Sequence, residues 1–109
     1  MPKKSVRRKH IFLTGAGSGL GRLLAIRLVK RGAHLSIVDI NEKTINQTKR
    51  MIKSQAGSDD NVEAITCDLT IRRQVTQAAQ QAEGRFGPVD ILINNAGVVQ
   101  GKNVADMSE

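Results

Sequence analysis

The feature that most constrains this chain is the run Thr14-Gly15-Ala16-Gly17-Ser18-Gly19-Leu20-Gly21. Four glycines in seven residues would cost an ordinary element backbone entropy. They suit a tight turn that something else approaches closely. The run follows a short apolar stretch, His10–Thr14, that reads as a strand. It leads into Leu20–Lys30, where Leu20, Leu24 and Leu28 recur at helical spacing before Gly32 stops the helix. A helix amino terminus offers unpaired N–H groups and partial positive charge, so a pyrophosphate fits there. The common G-x-G-x-x-G fingerprint fails, because its third glycine would fall on Leu20 or on Arg22. The pattern T-G-x-x-x-G-x-G fits, through Thr14, Gly15, Gly19 and Gly21. No Gly-Lys-Ser/Thr closes the turn, which excludes a Walker A loop. A ligand-free glycine turn is the alternative, and its place between strand and helix favours a bound cofactor.

The rest of the chain repeats the alternation. Ala33–Ile40 reads as a second strand. Asn41 caps a second helix running to about Gln55, with Ile45, Thr48 and Ile52 on one face. Val62–Cys67 is a third strand. Thr70 is the expected cap of a third helix whose inner face is Val75, Ala78, Ala79, Ala82 and Phe86, stopped by Gly87-Pro88. Val89–Asn94 is a fourth strand. This order predicts an α/β fold: a parallel sheet of about four strands with right-handed crossovers and helices on both faces. Strands so short and apolar suit burial on both sides. The closing Met107-Ser108-Glu109 reads as the start of a helix that does not follow, so a chain cut short is expected, with a frayed terminal tail as the alternative.

Composition narrows the chemistry. The 109 residues suit one domain, and with Phe12 and Phe86 as the only aromatics the core must be aliphatic. The absence of Tyr excludes a phenolic acid/base within these residues. One cysteine, Cys67, rules out an intrachain disulfide and favours a reducing, intracellular setting, cytoplasmic or peripheral at an intracellular membrane. No metal-ligating cluster is expected. The net charge of +7 is concentrated in residues 1–9, where Lys3, Lys4, Arg7, Arg8 and Lys9 stand without an acid. A solvated tail is the preferred reading of this arm. An anionic membrane surface comes next, ahead of nucleic acid, because the arm has no aromatic residue for stacking on bases.

Residues at the ends of the expected strands complete the candidate site. Asp39 ends the second strand and can accept hydrogen bonds from both ribose hydroxyls of an adenosine while repelling a 2′-phosphate. No Arg or Lys stands at Ser18 or Ile40. NAD(H) is therefore favoured over NADP(H). Capping of the next helix is a second role Asp39 can hold at once. Asp68 reaches the same rim and can accept from an adenine amino group. Asn94 and Asn95 can brace neighbouring main chain, and the small residues after them let a cofactor lie against the backbone.

With these motifs in order, the chain resembles the amino-terminal half of a short-chain dehydrogenase/reductase, from about His10 to its last residue. Cys-Asp-Leu-Thr at 67–70 and Asn-Asn-Ala-Gly-Val at 94–98 join the glycine turn and the acidic residue at family spacing. Val-Asp-Ile-Asn at 38–41 and Lys-Lys-Ser-Val at 3–6 look closest to the retinol and 17β-hydroxysteroid dehydrogenase branch. The resemblance implies a partial doubly wound Rossmann fold with strand order 3-2-1-4, truncated before the remaining strands. It divides the chain into a basic arm, 1–9, and the dinucleotide-binding half of a domain, 10–109. Gly15, Ser18, Gly19 and Leu20 would line pyrophosphate and adenosine, Asp39 the ribose, Asp68 and Leu69 the adenine. Asn95, Ala96 and Gly97 would flank the middle of the cofactor.

The implied reaction is hydride transfer between a nicotinamide cofactor and an alcohol or ketone, with retinoids, steroids and other lipids as candidate substrates. A homo-oligomer is implied for the full-length enzyme, and no nucleic-acid partner. The family's catalytic Tyr, its Lys partner, Ser and Asn lie beyond Gly97, so no catalytic residue is assigned and the chain alone is expected to be inactive. His10 and His34 are read as structural, Lys102 as a loop residue and Ser108 as a cap. Without further strands the fourth is an apolar edge, which predicts a marginal, self-associating fragment. The alternative is a truncated module that binds nucleotide or a partner surface without catalysis.

Overall fold

The computed structural model describes residues 5–95. The elements run β1 (His10–Thr14), α1 (Gly19–Lys30), β2 (His34–Asp39), α2 (Glu42–Ala56), β3 (Val62–Thr66), α3 (Arg72–Phe86) and β4 (Ile91–Asn94). The strands form one parallel sheet in the order β3-β2-β1-β4. Ile11 stands beside Leu35 and Ile91, and Ile37 beside Ala64. The predicted alternation and strand order both hold, with boundaries shifted by at most two residues.

Alternation of side chains across the sheet divides the core in two. On one face Ile11, Leu13, Leu35 and Ile37 pack with Ala25, Ile26 and Val29 of α1 and with Ile45 and Ile52 of α2. On the other, Phe12, Val38, Ile65 and Cys67 pack with Ala78 and Ala82 of α3. Each fully buried Ile or Leu contributes roughly 1.5–3 kcal/mol through loss of apolar surface to water.

Burial on both sides holds for the central pair, since β1 is buried throughout and β2 at its four inner positions. It does not hold for β3 and β4. On β4, Leu92 is 66% exposed, because among the described residues β4 pairs with β1 alone and no helix covers Leu92.

The leucine spacing marks α1 as a helix, and its most buried face lies beside those leucines: Gly21, Ala25, Ile26 and Val29 are buried, Leu24 and Leu28 pack at the edge of the core, and Leu20 is 66% exposed. Gly21 on this face meets the glycine turn. One further expectation is corrected: Thr70 does not cap α3. The residue at the cap is Ile71, with no side-chain hydrogen bond, and Thr70 is drawn back onto Asp68. Asn41 does cap α2, its side chain accepting from the Thr44 N–H at 3.1 Å.

At the amino-terminal rim of the sheet, residues 5–9 lie against the fold. Val6 packs on the α1 and α2 core, Arg8 N–H donates to the Gly32 carbonyl at 2.8 Å, and His34 N–H donates to that of Lys9 at 2.9 Å. No helix among the described residues is long and apolar enough to cross a membrane.

Candidate functional site

The glycine turn sits at the carboxyl ends of the strands. Gly15 and Gly19 take left-handed backbone, φ 68° and 56°. Gly21 is required by contact: a Cβ there would stand 2.0 Å from the Gly15 carbonyl oxygen. Ser18 occupies the N-cap of α1 in extended conformation, but its side chain makes no cap hydrogen bond, and the first turn holds no acid. The first-turn N–H groups have no partner within the helix. They open on an exposed surface formed by Ser18, Gly19 and Leu20. An uncapped helix start of this kind attracts anions through its donors and its dipole.

The turn is braced from β2 and α2. One Asp39 carboxylate oxygen accepts from the Gly17 N–H at 2.9 Å, and the other accepts from Asn41 N–H at 3.2 Å. A Cβ on Gly17 would stand 2.5 Å from Thr44 Oγ1 and 2.7 Å from the Asp39 oxygen that Gly17 N–H bonds, so a side chain there would displace both, though the motif leaves the position free. Arg22 reaches from α1 to the Gly17 carbonyl, and to Thr48 Oγ1 and Gln47 Oε1, each at 3.0 Å. Buried Thr48 donates to the Ala16 carbonyl at 2.8 Å. Sequence reading missed Arg22, Gln47 and Thr48 as site residues. The only signal was polar Thr48 on the apolar face of α2.

A cleft of about 210 Å³ opens beside the turn, lined by Gly15, Val38, Asp39, Ile40, Cys67, Asp68, Leu69 and Thr70. It gathers Gly15, Asp39, Asp68 and Leu69 from the ends of three strands, as the motifs predict. Ile40 and Leu69 give it exposed apolar walls. Asp68 accepts from Thr70 Oγ1 at 2.7 Å and Thr70 N–H at 2.9 Å. These bonds, the hydroxyl's first, hold its carboxyl below the usual range. Burial, and then the Asp68 charge, push the Cys67 thiol up.

On the other side of β1, Asn95 donates to the Gly15 carbonyl at 3.2 Å, as expected of a bracing residue. Asn94 differs: it accepts from the Thr14 hydroxyl at 2.9 Å, a side chain and not main chain. Ala96 and Gly97 lie outside the described residues, as do Lys102, Ser108 and the first four residues of the arm. His10 donates through Nδ1 to the Gly87 carbonyl and pairs through Nε2 with Ser36 Oγ, both at 2.8 Å. This His–Ser pair is sealed, with exposures of 1% and 0%, so no substrate reaches it. Among the described residues no group of His, Cys, Asp or Glu forms a metal site.

A parallel sheet ordered 3-2-1-4, with an uncapped glycine turn after its first strand and a carboxylate after its second, defines a Rossmann-type α/β protein. Residues 9–109 match the family model for short chain dehydrogenase, and the chain belongs to that family. It is 43% identical over 105 residues to epidermal retinol dehydrogenase 2 of Mus musculus, covering 96% of this chain and 33% of the relative. It is 48% identical over 100 residues to short-chain dehydrogenase/reductase family 16C member 6 of Bos taurus, covering 92% and 31%. Among solved structures, the 3-ketoacyl-(acyl-carrier-protein) reductase from Brucella melitensis, complexed with NADH, is similar at TM-score 0.72 and 34% identity over 81% of this chain and 34% of that one. The chain thus spans about a third of the length of the curated relatives it matches.

Proposed function

We propose that residues 10–109 form the nicotinamide-dinucleotide-binding part of an oxidoreductase, with NAD(H) preferred over NADP(H), and that residues 1–9 form a basic arm whose last residues, 5–9, rest on that domain. The observation that carries this reading is the first turn of α1, which lacks both a side-chain cap and an acid and opens beside a cleft ending at Asp39.

The residues fit the cofactor. Gly15, Ser18, Gly19 and Leu20 would hold the pyrophosphate and adenosine side. Asp39 would take the ribose: its two oxygens each carry one hydrogen bond, and a carboxylate has lone pairs for more. Asp68 and Leu69 would border the adenine, and Asn95, Ala96 and Gly97 would flank the middle of the cofactor. The bound nicotinamide supplies hydride chemistry. This chain's residues orient it and brace the turn beneath it.

An alcohol or ketone is the proposed substrate of the protein, with a retinoid or another lipid supported by the names of the relatives. The 109 residues contain no Tyr, so the phenolic acid/base that the family resemblance implies is not among them. The chain by itself then binds the cofactor without turning it over.

Titration of the chain with NADH and NADPH, followed by cofactor fluorescence, tests both points. The chain has no Trp or Tyr to overlap the signal. Saturable binding with NADH favoured is expected, and no reduction of NAD when alcohols are added. Lack of saturation by either cofactor, or equal affinity for both, contradicts the reading.

A further inference from the structure

The rim opposite the cofactor turn carries a second cleft, of about 360 Å³, lined by Arg7, Arg8, Lys30, Arg31, His34 and Asn61 around Gly32. Its charges come from separate segments. Arg7 and Arg8 precede β1, whereas Lys30 and Arg31 end α1. Among the described residues none of the four has a carboxylate within ion-pair distance; the ion pair found there joins Arg85 to Glu63. No acid lines the cleft. Like charges gathered without a counter-ion repel one another, and a bound anion relieves that repulsion.

Two details show that the arrangement is held in place. Arg8 takes left-handed backbone, φ 63°, which side-chain-bearing residues rarely adopt. It is kept there by its bond to the Gly32 carbonyl and by the turn that joins Lys9 N–H to the Val6 carbonyl. His34 lines the cleft and stacks on Phe86 at 5.1 Å, yet its Nδ1 is buried without a hydrogen-bond partner. Beside this ring the guanidinium and ammonium groups of Arg7, Arg8, Lys30 and Arg31 supply the N–H donors that suit phosphate oxygens.

We propose that this cleft binds a phosphate group, as a phosphate ester or a lipid headgroup, between the arm and the end of α1. The site is independent of the cofactor turn: the five residues of β1 place roughly 16 Å between the two rims.

The test is an amide NMR titration of the chain with inorganic phosphate, alongside flotation with phosphatidylcholine vesicles containing phosphatidic acid. The rim variant is Arg8→Gly with Arg31→Ala, since glycine accepts the left-handed backbone at position 8. Lys43→Ala with Arg50→Ala removes the same charge from exposed positions on α2. Arg31→Ala alone reads the same loss should the double variant not fold.

Saturable shifts at Arg8, Gly32 and His34, at least tenfold weaker in the rim variant and unchanged in the α2 variant, establish the site with free phosphate as ligand. Flotation lost in the rim variant alone, without a response to phosphate, establishes it with the headgroup as ligand. No response in either arm, or equal loss in both variants, overturns it. Shifts confined to Gly15–Leu20 also overturn it, while leaving the cofactor reading intact.

Discussion

A methyl group at position 21 would collide with the Gly15 carbonyl, and backbone cannot swing aside as a side-chain end can. Gly21→Ala is expected to cost about 3 kcal/mol, read from the urea midpoint, and to abolish NADH binding. At Asp39 the structure sharpens an obvious experiment. Because Asp39 also holds the Gly17 N–H, Asp39→Ala would loosen the turn and weaken binding of both cofactors. Asp39→Asn keeps an oxygen for Gly17 and removes the charge. The ratio of NADH to NADPH affinity should then fall about tenfold, or ~1.4 kcal/mol; an unchanged ratio would remove Asp39 from ribose recognition. The glycines, Asp39 and Asp68 were legible in the sequence because their spacing from strand ends is local. Arg22 was not, since its value lies in reaching Gly17, Gln47 and Thr48, which only packing of α1 on α2 brings together.

Helix starts show the same division between local and tertiary signals. The Asn41 cap could be read directly because its partner, Thr44 N–H, is three residues away. Asn41→Ala should destabilise the fold by about 1 kcal/mol in urea denaturation. Thr70 misled because its hydroxyl had two destinations, and Asp68 takes it. The leucine spacing located α1, but periodicity does not say which of two neighbouring stripes the sheet accepts. Gly21, pressed on Gly15, decides it. The Asp68 turn also has a pH signature. Its carboxyl is held low by Thr70, so its contribution to stability is present at neutral pH and is lost as pH falls through the lowered value. Urea midpoints at neutral and acidic pH should show a smaller acid loss for Asp68→Asn than for the parent chain. An identical loss would show that the Thr70 bonds do not stabilise the folded state.

On the scale of the whole molecule, the sheet has a glycine-and-carboxylate rim at one end and a basic rim at the other. Its order was legible because β-α alternation with right-handed crossovers leaves few arrangements. The basic rim was not, because it joins residues 7–8 to residues 30–34 across a corner that charge counting reads as a tail. The central claim is that the uncapped start of α1 receives the pyrophosphate of a nicotinamide dinucleotide, and an amide NMR titration of the chain with NADH tests it most directly. The account predicts saturable shifts, largest at Ser18, Gly19 and Leu20, with smaller ones at Asp39 and Asp68. Saturable shifts elsewhere with that turn unmoved, or no saturable shift at all, would contradict it.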